Sequence, residues 1–362
     1  MDKRVKVVTK DLQDFVVDVL QKHGMTATDA LVTADVMVSA DKRGIESHGV
    51  ARLKRYVDGI KSGIINLDAK IETIVETPVS LLVDGGGHMG QVVAYRAMKR
   101  CIEKARQNFI CMASIRNSNH YGIAGYYTQM ALDERMIGLS LTNSAPLVVP
   151  TFARDAVIGT NPISLGVPAQ KEKDFLLDMA TSTVPRGKLE VSARKGETIP
   201  ETWATDENGH PTTNAQHVLD NLAGRMGGGL LPVGGAGMEH GGHKGYGLGV
   251  LVDILSGVLS DGAVGLDVYG KKGQPAEVAH FLAVINPAAF AGLESIQEKM
   301  DYYARMLKQS NLAEGEERIF VAGEKEYENA ETNKKVLTLQ EKVFEILNDI
   351  GREFNLKLEE VI

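Results

Sequence analysis

Residues 81–119 read LLVDGGGHMGQVVAYRAMKRCIEKARQNFICMASIRNSN. An apolar run, a glycine turn, an amphipathic stretch from Gln91 to Asn108 and a second apolar run follow in order, which predicts strand, helix, strand in the α/β manner. Gly85-Gly86-Gly87-His88-Met89-Gly90 matches G-x-G-x-x-G, and it stands where a dinucleotide fingerprint belongs. The rest of a Rossmann unit is missing. Its next strand should end in Asp or Glu to hold the ribose hydroxyls, yet ICMASIRNSN ends in Arg, Asn and Ser. The glycines therefore read as a tight turn opening a helix, and any nicotinamide site must be built in another way.

On the N-terminal side, apolar spacing predicts helices over Asp11–Gln21, with Gly24 as a stop, and over Ala27–Lys42, with Thr26 and Asp29 in the form of a capping box. A third is expected over His48–Lys61, ended by Gly63. Beyond residue 119, a helix near Ala124–Arg135 alternates with the apolar runs IGLSLTN, VIGTNPISLGV, DFLLDMA and HFLAVIN. KGYGLGVLVDILSGVL reads as an apolar helix that packs on a sheet. After Pro287 the pattern is helical again, around Ile296–Gln309 and Thr338–Phe354. The simplest architecture joins residues 1–75 and 288–362 as a helical domain beside a central α/β nucleotide-binding domain of residues 76–287.

The 362 residues carry a formal charge of −7 with acids and bases evenly mixed, which opposes a nucleic-acid role. No apolar run approaches the roughly 18 residues of a membrane span, and MDKRVKVVTK lacks a signal-peptide core. A cytoplasmic protein with no membrane partner is expected. The two cysteines, Cys101 and Cys111, suit reduced structural thiols better than a disulfide.

Four constellations have chemical content. His48, Arg52 and Tyr56 recur every four residues behind Ser47, so a helix would carry an acid/base, a fixed cation and a phenol on one face. A 2-hydroxy acid needs those parts: Arg clamps the carboxylate and His takes the hydroxyl proton as hydride leaves the same carbon. A solvated helix face with a capping serine would look the same. Ser118 to Tyr126 places His120, a second acid/base candidate, between a strand and a helix start that suits an anion; an Asx-type turn with packed aromatics is the alternative. Thr142–Pro146, Gly159–Pro162 and Asp178–Ser182 each set small polar residues at the end of an apolar strand, and Asp178 can accept from a ribose or orient a histidine. Gly234–Gly247 puts Lys244 at a helix start, where it would face phosphate. His240 and His243 there invite a metal, but no cysteine or carboxylate cluster completes a site, and none is expected.

Taken together, SHGVAR (47–52), SNHYGIAG (118–125), GTNP (159–162), DMATS (178–182) and GHKGYGL (242–248) resemble the type-2 malate/L-lactate dehydrogenase family, in order, from about residue 10 to about residue 330. That family also includes ureidoglycolate and sulfolactate dehydrogenases and diketogulonate reductase. The resemblance implies a non-Rossmann fold with a mixed sheet, NAD or NADP as cofactor, and at least a homodimer with sites near the interface. It implies that His48 and His120 compete for the acid/base role, with His48 favoured here. Arg52 would hold the substrate carboxylate, and Ser47 and Tyr56 would line the pocket. Cofactor contacts would fall on His120, Tyr121, Gly122, Ile123, Ser144, Asp178, Met179, Ala180, Lys188, Lys244 and the turn Ala322-Gly323-Glu324. In that turn Ala322 stands where the family usually has proline. The stretch Leu219–Glu239 and the triplet Asn119-His120-Tyr121 resemble the malate-type members, so malate and oxaloacetate are the expected pair. Lactate, sulfolactate, ureidoglycolate or a cyclic imine are the alternatives within the family. A metal-dependent hydrolase using His240 and His243, or a non-catalytic nucleotide-binding module, would be different classes.

Overall fold

The structure, a computed structural model, describes residues 3–270 and 273–361. In chain order its elements are β1 Arg4–Val8, α1 Thr9–Lys22, α2 Ala27–Lys42, α3 Leu53–Lys61, β2 Glu72–Glu76, β3 Ser80–Asp84, α4 Gly90–Asn108, β4 Ile110–Ser118, α5 Ala124–Asp133, β5 Ile137–Thr142, β6 Ile163–Val167 and β7 Phe175–Met179. There follow α6 Arg186–Lys195, β8 Ala204–Thr205, α7 Ala215–Gly224, β9 Gly229–Leu230, α8 Gly242–Asp253, β10 Val278–Ile285, α9 Leu293–Lys308, α10 Glu324–Thr332, β11 Val336–Gln340 and α11 Glu341–Arg352. A seven-stranded sheet in the order β2-β3-β4-β10-β5-β6-β7 forms the centre. Only β3 and β4 run parallel within it, joined by the crossover helix α4, so the sheet is mixed. Alternation along β10 sorts the two faces: Leu282 and Val284 meet α4 and α5, while Phe281 and Ala283 meet Val252 of α8.

The glycine turn between β3 and α4 presses on its own chain. A Cβ on Gly90 would lie 2.1 Å from the Asn119 carbonyl oxygen, and one on Gly85 would lie 2.9 Å from that of Asn117. Gly87 donates to Asn117 O at 2.6 Å, while the Asn119 amide donates to the carbonyls of Gly87 and His88 at 2.8 and 3.0 Å. Asp84 holds Arg116 and Asn117 at 3.0 and 2.8 Å. The letters of a phosphate fingerprint thus serve to fix residues 116–120. Gly90→Ala should cost about 1 to 3 kcal/mol by overpacking, read as a lower denaturant midpoint, with activity lost further because the same loop carries His120.

The terminal segments differ from the sequence expectation in one respect. Arg4–Val8 form β1, which pairs antiparallel with β11 from Arg4↔Gln340 to Val8↔Val336. Residues 338–340, expected to be helical, belong to that strand, and α11 starts only at Glu341. The reason is period-2 patterning: Val5, Val7, Leu337 and Leu339 are buried between outward polar residues. These four join Leu12, Phe15, Val16, Met37, Leu53, Tyr56 and Leu347 in one apolar cluster. On α2 the capping pair forms, with Thr26 Oγ1 accepting from Asp29 N at 3.2 Å.

The third expected helix is shorter than read. Gly49 is extended (φ −84°, ψ −152°), tight turns occupy Glu46–His48 and Val50–Arg52, and α3 begins at Leu53. Asp41 of α2 accounts for the break: its carboxylate accepts Val50 N–H at 2.7 Å and fills the space a Cβ on Gly49 would need, 1.9 Å away. Gly159–Pro162 likewise leads into β6 instead of ending a strand, although antiparallel pairing still brings it to the rim formed by Thr142 and Met179.

Candidate active site

One end of the sheet gathers the polar segments. The C-terminal ends of β4, β5 and β7 and the first residues of β6 and β10 lie there. A buried histidine ties three of these strands together: His280 Nδ1 meets Thr142 Oγ1 at 2.7 Å and its Nε2 meets Ser118 Oγ at 2.8 Å. Burial holds this imidazole neutral, its pKa lowered to about 3.

Beyond Ser118 the chain turns to His120, whose Nδ1 lies 2.7 Å from the Tyr56 hydroxyl and 3.3 Å from the Gly122 N–H. The His48 ring stacks on that of His120, centroids 5.4 Å apart, and its Nδ1 meets Ser47 Oγ at 2.8 Å. Arg52 Nε donates to the Ser47 carbonyl at 2.6 Å, which folds the turn back on itself. Ser47, His48, Arg52, Tyr56 and His120 therefore come together, by a hooked turn in place of the single helix face expected. His120, Tyr56, Asn119, Arg55, Tyr269 and Gln274 line a cavity of about 520 Å³.

Electrostatics follow from crowding. Burial, then the charges of Arg52 and Arg55, lower His48 to about 4. Burial, His48 and the same two arginines push His120 well below the ordinary imidazole value. Both are neutral at pH 7. Burial raises the Tyr56 hydroxyl to about 12, so it stays protonated, able to donate to a bare Nδ1 or accept from a protonated one.

The cofactor candidates fall into three places. Ile123, Asp178, Ala322 and Gly323 line a second, smaller cavity of about 150 Å³ with Arg43. Asp178 Oδ2 accepts Gly125 N–H at 2.7 Å, so the anion at the start of α5 is the protein's own carboxylate, and among the described residues it orients no histidine. Burial raises that carboxyl to about 6. Met179 and Ala180 carry β7 past this point. The Tyr121 side chain is core, stacked on His280 with centroids 4.5 Å apart, which leaves the backbone of Tyr121-Gly122-Ile123 to face a ligand. Glu324 is also committed: its carboxylate accepts from Val321 N and Lys308 Nζ at 3.0 and 2.9 Å and so fixes the turn that lacks the usual proline. A second place is Lys188, in the first turn of α6, beside Gly187, whose added Cβ would reach within 3.9 Å of Ser47 Cβ. The third place is reached from Ser144. Asn161 accepts Ser144 N–H at 3.1 Å and donates to Gly249 O of α8 at 2.9 Å, and Lys244 stands exposed in the first turn of that helix. His240 and His243 flank the same turn, and among the described residues no group of three or more metal-ligating side chains forms.

Sequence reading missed Arg55, Tyr269, Asp41 and His280. Arg55 sits one residue before Tyr56, off the spacing that was followed, and His280 is a lone polar residue in an apolar strand.

A sequence model of the malate/L-lactate dehydrogenase family matches residues 7–348. The chain belongs to that family. The malate dehydrogenase of Pyrococcus abyssi is 49% identical over 98% of this chain and 96% of its own. The malate/(S)-sulfolactate dehydrogenase of Methanothermus fervidus is 37% identical, covering 96% and 97%. The solved malate dehydrogenase of Pyrococcus horikoshii OT3 superposes with a TM-score of 0.88 at 46% identity, over 98% of this chain and 97% of that one. Membership in the malate/L-lactate dehydrogenase family makes the chain an oxidoreductase acting on a 2-hydroxy acid, confirms the mixed-sheet fold and removes the hydrolase alternative.

Proposed function

We propose that the chain interconverts malate and oxaloacetate with a nicotinamide dinucleotide as hydride carrier. The observation that carries this is the His120 imidazole at the wall of a cavity it shares with Arg55, backed by the stacked His48 ring and by Arg52, with neither arginine paired with a carboxylate among the described residues. The residues near Asp178 fit a dinucleotide: Asp178 Oδ1 has no protein donor among the described residues, and two stretches of glycine-bearing backbone border the same small cavity. When bound, nicotinamide supplies or accepts the hydride at C2 of the acid. Arg52 clamps the C1 carboxylate. The sequence favoured His48 for proton transfer; the cavity wall favours His120, whose Nδ1 is held by Tyr56 and whose Nε2 has no protein partner among the described residues. In reduction the protonated His120 ring gives its Nε2 proton to the 2-oxo oxygen and becomes neutral, and in oxidation the neutral ring takes that proton back. Anionic substrate cancels the arginine charges that depress the histidines, so imidazole basicity rises when the proton is needed.

The test is loss of reduced-nicotinamide absorbance, with NADH and NADPH each offered against oxaloacetate, pyruvate, sulfopyruvate and a cyclic imine. Fastest turnover of oxaloacetate is expected, and the comparison also decides the cofactor; faster turnover of any other acid would rename the substrate.

A homodimer belongs to this reading. Leu248, Leu251, Ile254, Val258 and Leu259 leave 39 to 60% of their surface exposed along α8 and the helical turn after it, an apolar stripe that a second copy would cover. Leu251→Glu with Ile254→Glu should halve the mass seen by light scattering; an unchanged mass would place the interface elsewhere. We also place the protein in the cytoplasm, which the two buried free thiols support. Among the described residues no helix is long and apolar enough to cross a membrane. The division into residues 1–75 with 288–362 and residues 76–287 remains our proposal, supported by the apolar cluster that both terminal segments share.

A further inference from the structure

We propose that Arg55 is the specificity-determining residue of this site, binding a second anionic group, carboxylate or sulfonate, at the far end of the 2-oxo acid. The inference rests on the dehydrogenase reading above.

Three observations carry it. Arg55 lines the same cavity as His120 and Tyr56, so its guanidinium faces the space a substrate would occupy. Its Nη2 donates to the Tyr269 hydroxyl at 2.8 Å and its guanidinium carbon lies 5.5 Å from the Tyr269 ring centroid, which fixes its direction without neutralising it. Asp58, the acid on the same wall, is paired with Lys54 at 2.7 Å. The site therefore presents Arg55 at the cavity wall and Arg52 three residues before it, just outside the residues that line the cavity, neither paired with a carboxylate among the described residues. A monocarboxylic 2-oxo acid cancels one and leaves the other facing a desolvated ligand, whereas an acid with two anionic groups cancels both.

The test compares Arg55→Gln and Arg55→Lys with the unmodified enzyme, using oxaloacetate, sulfopyruvate and pyruvate. Arg55→Gln should lower kcat/KM for the doubly charged acids by about 10- to 100-fold more than for pyruvate. Arg55→Lys should recover part of the loss, as a point charge without the planar fork. Loss confined to one of oxaloacetate and sulfopyruvate would identify which anion the subsite takes. Equal loss on all three acids, with KM unchanged, would overturn the proposal and leave Arg55 as a support for Tyr269; so would no loss at all. Failure of the unmodified enzyme to reduce any 2-oxo acid would instead bring down the dehydrogenase reading, and this assignment with it.

Discussion

His120→Ala is expected to lower kcat for oxaloacetate reduction by about 10³-fold, the middle of the range for removing a general acid. His48→Ala is expected to cost about tenfold, since that ring lines up with His120 and is hydrogen-bonded to Ser47 without reaching the main cavity wall. Single-turnover rates with each variant decide the assignment: if His48→Ala is the more damaging, the two roles are exchanged. The pH dependence gives an independent check. Both imidazoles titrate below the ordinary value, so oxidation, which needs a neutral base, should hold a level kcat/KM through neutral pH and fall only below about 6.5. Removing one of the cations that depress them raises their pKa. Arg55→Gln should therefore move the acid limb of the oxidation profile to higher pH, and a limb that stays still would show that these charges do not reach the reacting imidazole.

The second large effect is at Arg52. Arg52→Lys should lower kcat/KM by about 10²-fold with nucleotide affinity intact, because an ammonium cannot reproduce two parallel hydrogen bonds to a carboxylate. The hook to the Ser47 carbonyl strengthens the expectation, since a lysine lacks the Nε–H that holds the turn. Stopped-flow reduction with separate fluorescence titration of the reduced nucleotide separates the two quantities. Unchanged turnover would remove Arg52 from the substrate.

Much of this was legible before the fold was known. The β3-α4-β4 unit followed from two apolar runs around one helical period, and the missing acid after the second run was enough to reject a Rossmann site. His48, Arg52 and Tyr56 were found through a helix that does not exist at His48. The structure gathers that group by another route, because a buried carboxylate on α2, nine residues before the Val50 N–H that it accepts, folds the segment at Gly49. No local pattern announces Asp41 in that role, and burial pushes its carboxyl up to about 7, another property of the assembled site alone. The strands RVKVV and VLTLQ were passed over although both alternate openly, since each adjoins a stronger helical pattern. Arg55 and Tyr269 were invisible for a simpler reason: 214 residues separate partners whose contact depends on tertiary approach.

The pairing of β1 with β11 has a consequence for how the enzyme is made. Residues 4–8 are synthesised first among the described elements, yet their partner strand leaves the ribosome more than 300 residues later. At about 5 to 20 residues per second, an apolar edge waits unpaired for tens of seconds. The cluster that holds Leu53 and Tyr56 needs Leu337, Leu339 and Leu347 as well, so the nascent chain can close its sheet early but should gain activity only when residues 336–347 have emerged.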